Sequence, residues 1–214
     1  MKEVFRTLLT TLAGLLAVTG VSCAPAAEPS ESAAPAEKTA KPVTEPGTFM
    51  NPISAESRPD PFIMYYDGYY YALATESGVR IRLHRSKKLA NVFEDEYKDL
   101  IQTGDDIGGG KTLCINVWAP EIHFSAETNR WYIYSCANTD GFDFGSMRVF
   151  CLESASADPF GDYTYKGLLD GYLQAIDLTV FHDDESGETY ACYSCFNTHG
   201  QVLKIGVMEN PYTL

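Results

Sequence analysis

Positive charge is scarce in this chain. Lysine and arginine total 16 against 29 aspartates and glutamates, a formal charge of -13. Such a surface repels a phosphate backbone, which excludes nucleic acid as a partner class. Long apolar runs are also missing. The run at residues 8–18 is shorter than the roughly 20 residues that a membrane-spanning helix requires. No long segment shows helical periodicity, which argues against an α-rich fold. Beyond Cys23, five cysteines remain (Cys114, Cys136, Cys151, Cys192 and Cys195), and an odd number leaves no complete disulfide framework. Cys192 and Cys195 have C-x-x-C spacing but no second pair. In a strand their odd separation puts them on opposite faces, so they read as core residues and not as zinc ligands. His84, His123, His182 and His199 are scattered, without an H-x-x-x-H pair. The glycine-rich stretch at 105–112 fails as a phosphate loop, because strand-like residues follow where a helix should start.

Aromatic and β-branched residues are plentiful, with 14 tyrosines and 11 phenylalanines, and the runs are short and broken by glycine turns. That is an all-β composition. One stretch organises it: Arg58-Pro-Asp-Pro-Phe-Ile-Met-Tyr-Tyr, an Asp67-Gly68 hairpin, then Tyr-Tyr-Tyr-Ala-Leu. Asp60 opens the strand, held between two prolines that fix the backbone and remove N–H donors. The same order of acid, apolar strand, turn and aromatic strand recurs at Trp118-Ala-Pro-Glu-Ile-His-Phe and at Ala175-Ile-Asp-Leu-Thr-Val-Phe. Glu121 and Asp177 are the expected counterparts of Asp60, 61 and then 56 positions on. Each hairpin is followed by another alternating strand, at 81–86, 147–152 and 202–208. A period of this size with several short strands per unit indicates propeller blades.

Ahead of these units, Lys2 and Arg6 precede the apolar run and small residues follow it, so residues 1–22 form a secretory signal. Gly20-Val-Ser-Cys23 resembles the lipobox of bacterial lipoproteins, in which the cysteine becomes the lipid-bearing first residue; the other reading of Cys23 is an ordinary small residue near a cleavage site. Residues 23–48 are mostly Ala, Pro, Glu, Ser, Thr and Lys and cannot build a core, which suits a disordered tether. The folded domain is expected at 49–214.

The motifs Arg-Pro-Asp60-Pro with Asp-Gly-Tyr-Tyr-Tyr, Val-Trp118-Ala-Pro-Glu121 with Trp-Tyr-Ile-Tyr, and Ala-Ile-Asp177-Leu-Thr-Val-Phe resemble the first three blades of glycoside hydrolase family 43. The resemblance implies a five-bladed β-propeller, here truncated to about two and a half blades, and an inverting glycosidase of the α-L-arabinofuranosidase or β-xylosidase type. Asp60 then matches the general base that activates water. Asp177 matches the carboxylate that orients the acid and raises its pKa. Glu121 either lines the sugar pocket or is a strand-start acid, and Trp118 either stacks on sugar or fills space between blades. The general acid of the family is a Glu of a later blade in a Glu-Gly-Pro-like segment, and this sequence has none, so an inactive fragment is the expectation.

The implied substrates are arabinoxylan, arabinan or oligosaccharides derived from them. No cofactor or metal is expected, although a channel calcium is compatible with the family. Membrane contact is expected through the lipid anchor alone, on a secreted, cell-surface or periplasm-facing bacterial lipoprotein. Two other classes stand beside this reading. One is a surface glycan-binding lipoprotein without catalysis. The other is a sucrose- or fructan-cleaving hydrolase, whose first acid sits in an Asn-Asp-Pro-Asn-Gly setting absent here.

Overall fold

A computed structural model describes residues 48–139, 141–169 and 174–214. The signal, the site at Cys23 and nearly all of the tether lie outside the described residues. The first sheet comprises β1 (Phe62–Tyr66), β2 (Tyr69–Leu73), β3 (Arg80–Ser86) and β4 (Glu96–Gln102) in that spatial order. A short hairpin, β5 (Asp106–Gly108) with β6 (Lys111–Thr112), leads to the second sheet. That sheet repeats the up-and-down order with β7 (Ile115–Ser125), β8 (Arg130–Asn138), β9 (Met147–Ser154) and β10 (Tyr163–Leu168). The third contains β11 (Ile176–His182), β12 (Thr189–Asn197) and β13 (Gly200–Val207). All neighbours are antiparallel.

Turn chemistry sets the registers. Asp67 and Gly68 have φ of 46° and 83°, the left-handed pair that a two-residue hairpin turn needs, and Tyr66 pairs with Tyr69 across it. The inner strands β7 and β11 are less regular, with register shifts between Ile115 and Trp118, between Trp118 and Glu121, and between Ile176 and Thr179. Bulges of this kind re-aim side chains at the start of a strand.

The sheets pack face to face as successive blades. β8 is the pivot, because its period of two serves two cores at once. Trp131, Ile133 and Ala137 join Leu73, Ile81, Leu83, Val117 and Phe150 between the first and second sheets. Tyr132, Tyr134 and Cys136 join Met147, Val149, Leu178, Ala191 and Cys195 between the second and third. The outer strands β4 and β10 were only implicit in the sequence pattern. Both carry charged side chains, and Lys98 of β4 bridges to Asp162 just before β10 at 2.5 Å. Cys195 is buried, Cys192 is half-buried, and both are free thiols. Among the described residues, no helix is long and apolar enough to cross a membrane.

Candidate active site

Each inner strand carries a residue in the left-handed region: Asp60 just before β1, Asp177 second in β11, and in β7 both Asn116 (φ 59°) and, at the second register shift, Ala119. Asp60 has φ 54°, Ala119 φ 44° and Asp177 φ 54°. The second unit therefore carries its equivalent residue at Ala119, two positions ahead of Glu121. The spacings become 59 and 58, more even than those counted to Glu121. Aligning Asp60-Pro61 with Ala119-Pro120 would have shown this from the sequence. Glu121 lies two residues further along β7, paired with Tyr134, and its carboxylate meets His123 Nε2 at 3.0 Å. The His123 ring in turn packs near Phe62 and Tyr134, at 5.4 and 5.9 Å between centroids.

All three predicted acids still converge. Burial raises the Asp177 carboxyl above its ordinary value, and the negative charges of Asp60 and then Glu121 raise it further. Cys136 of β8 sits at the same junction. Burial pushes its thiol up to about 12; the Asp177 backbone lies against it, and the charges of Asp177 and Asp60 reach it. One carboxylate from each blade is thus coupled through charge, and a buried thiol from the central strand lies against the Asp177 backbone. Asp177 itself stays exposed between buried Ile176 and Leu178. It lines a cavity of about 370 Å³ with Ser194, Gln201, Val202 and Leu203. Gln201 Nε2 donates to Ser194 Oγ at 2.6 Å there.

Trp118 spans the gap between blades. Its half-buried ring packs on the second core, and a Cβ placed on Gly78 of the first sheet would lie 3.1 Å from its Nε1. Its carbonyl accepts from Ser135 Oγ at 2.7 Å. Gly78 has φ 68°, and its carbonyl accepts the Val117 N–H at 3.0 Å, so the two blades touch through backbone at this point.

Two groups escaped the sequence pattern altogether. Thr75 Oγ1 donates to Asp60 Oδ2 at 2.7 Å and accepts the Ala119 N–H at 2.9 Å. Next to it, buried Glu76 receives Arg58, His84 Nε2 at 2.7 Å and Arg82 at 3.6 Å. A lone Glu after a strand gives no sign that two arginines and a histidine gather round it. A second cavity, about 400 Å³, opens between the second and third blades at the far end of β11, beside Phe124, Phe181 and His182. It touches none of the three acids. Among the described residues, no group of three or more His, Cys, Asp or Glu side chains is placed to hold a metal ion.

The model for glycosyl hydrolases family 43 matches residues 49–213. Over 186 residues the chain is 33% identical to an extracellular exo-alpha-(1->5)-L-arabinofuranosidase of Streptomyces avermitilis, covering 84% of this chain and 37% of that protein. Its structure resembles the crystal structure of an alpha-L-arabinofuranosidase from Lactobacillus brevis, with a TM-score of 0.65 and 28% identity over 78% of this chain and 53% of the other. An endo-arabinase from Bacteroides thetaiotaomicron shares the fold, with a TM-score of 0.57 and 19% identity over 78% and 56%. The chain thus spans between about a third and about a half of the length of these relatives.

Proposed function

The chain belongs to glycosyl hydrolase family 43, and from that premise we propose that it carries the water-activating part of an inverting glycosidase site for arabinose-containing glycans. The convergence of Asp60, Glu121 and Asp177, registered in the raised Asp177 carboxyl, is the observation that supports this reading. Inversion needs a base and an acid on opposite faces of the sugar, with room for water between them. Asp60 acts as the base. It takes a proton from water as the water attacks the anomeric carbon, while the glycosidic oxygen leaves with a proton from the acid. Asp177 orients that acid and, as a nearby like charge, keeps it protonated. Glu121 and Trp118 line the sugar pocket. The proton donor is assigned to no residue of this chain. The scheme draws on carboxylates and water and calls for no cofactor.

Arabinosides are preferred over xylosides as substrates because the relatives at 33% and 28% identity are named as arabinofuranosidases. Residues 1–22 serve as the signal, Cys23 as the lipidated residue, 23–48 as the tether and 49–214 as the partial propeller. The word extracellular in the name of the Streptomyces relative supports secretion. Lipidation is tested by palmitate labelling that disappears in Cys23→Ala.

Function is tested by turnover and binding measured separately. Hydrolysis of nitrophenyl α-L-arabinofuranoside, lost in Asp60→Asn with arabino-oligosaccharide binding retained, supports the hydrolase. Binding without turnover supports the alternative of a glycan-binding lipoprotein. A folded chain that neither binds nor cleaves these sugars overturns both.

A further inference from the structure

We infer that Thr75 is a positioning residue: its hydroxyl fixes the Asp60 carboxylate, selects which oxygen of that group faces the reaction, and ties its placement to the neighbouring blade. The inference rests on Asp60 being the base, and its geometry stands independently.

A hydroxyl has one proton to give and two lone pairs to offer. An amide N–H can only donate. The 2.9 Å contact with Ala119 N therefore commits a Thr75 lone pair, and the 2.7 Å contact with Asp60 Oδ2 takes the proton. Thr75 is 7% exposed, so water does not compete freely for either bond. With Oδ2 occupied, Asp60 Oδ1 has no partner among the described residues. It is the oxygen left to meet water.

The side-chain bond is one of three that hold the Asp60 segment. The Thr75 N–H donates to the Pro59 carbonyl at 2.9 Å, which extends the β1–β2 pairing beyond the regular strands. Glu76, the next residue, takes the guanidinium of Arg58, two positions before Asp60. The dipeptide Thr75-Glu76 thus holds Arg58, Pro59 and Asp60 in turn. Through Ala119 it also reaches the equivalent left-handed residue of the second blade. Threonine suits the task because its β-branch restricts the rotamer that aims the hydroxyl.

The test compares wild type, Thr75→Val and Thr75→Ser in the full chain. Three-bond couplings of the Asp60 side chain should report one χ1 rotamer in wild type and Thr75→Ser, and averaging in Thr75→Val. Where the chain turns over nitrophenyl arabinofuranoside, Thr75→Val should lower kcat about 10²-fold with KM little changed, and serine should restore most of it. If Thr75→Val does not fold, the unmodified protein decides. A slowly exchanging Thr75 hydroxyl proton with a nuclear Overhauser contact to the Ala119 amide is expected, and its absence overturns the inference. So does a folded Thr75→Val with Asp60 still locked, or a serine variant that behaves like valine. None of the NMR readouts needs turnover, so an inactive chain with a locked Asp60 sinks the hydrolase reading and leaves Thr75 in its role. An active chain with a freely rotating Asp60 does the reverse.

Discussion

The second and third sheets share a strand order yet differ in what covers them. Every residue of β8 after Arg130 is buried, because the first sheet lies on one face and the third on the other. β13 places apolar residues at alternate positions, but Leu203, Ile205 and Val207 stay exposed, Leu203 at 78%. Alternation prepares a face, and only a neighbouring blade encloses it. The candidate site straddles this divide. Asp60 is fixed by hydrogen bonds within and between the two packed blades, whereas Asp177 hangs from a sheet covered on one face among the described residues.

The sharpest test of that contrast is Glu76→Gln. It leaves Arg58 and Arg82 around a buried neutral amide, and removing one partner of such a cluster should cost about 3–5 kcal/mol in urea unfolding. A loss under about 1 kcal/mol would mean that the first blade is held no better than the third. Ile133→Ala in β8 follows, with an expected loss of about 2–5 kcal/mol from a fully enclosed site. Leu203→Ala in β13 should stay within about 0.5 kcal/mol. Equal losses would show that enclosure is not what separates the sheets.

A smaller effect probes the seam between them. The Tyr134 hydroxyl of β8 donates to the Pro211 carbonyl, beyond β13, at 2.6 Å. Tyr134→Phe should therefore cost about 1 kcal/mol, measured by the same denaturation. A pH-dependent effect belongs to Asp177. Its carboxyl is raised in the folded chain, so the folded state holds its proton more tightly than the unfolded state does. Its contribution to stability is present below the unfolded value of 3.8 and is lost as pH rises through the folded value. Asp177→Asn should match wild type in melting temperature near pH 3 and exceed it near pH 7. A constant difference across that range would refute the like-charge crowding.

The hairpins and the three acids were legible in the sequence because their signals are local: Asp67-Gly68, the prolines beside Asp60, and the aromatic alternation. The outer strands were not. Glu96–Gln102 mixes charges with aliphatic residues and is mostly exposed, so no clean period of two marks it. Counting to Glu121 was also misled by chemistry, since an acid was sought where the repeat carries Ala119. Thr75, Glu76 and Cys136 take their importance from partners on other strands. Residue identity alone does not show that.

The left-handed residues Asp60, Ala119 and Asp177 of the three inner strands have a mechanical consequence. Glycine takes a positive φ without strain, and none of Asp60, Ala119 and Asp177 is glycine. Each holds a conformation that costs an ordinary residue about 1–2 kcal/mol, so the site is pre-stressed like a set of bent springs. A chain relaxed at these points would gain stability and lose its aim. The packed sheet of β7, β8 and β9, buried between two cores, is the frame that keeps the springs bent.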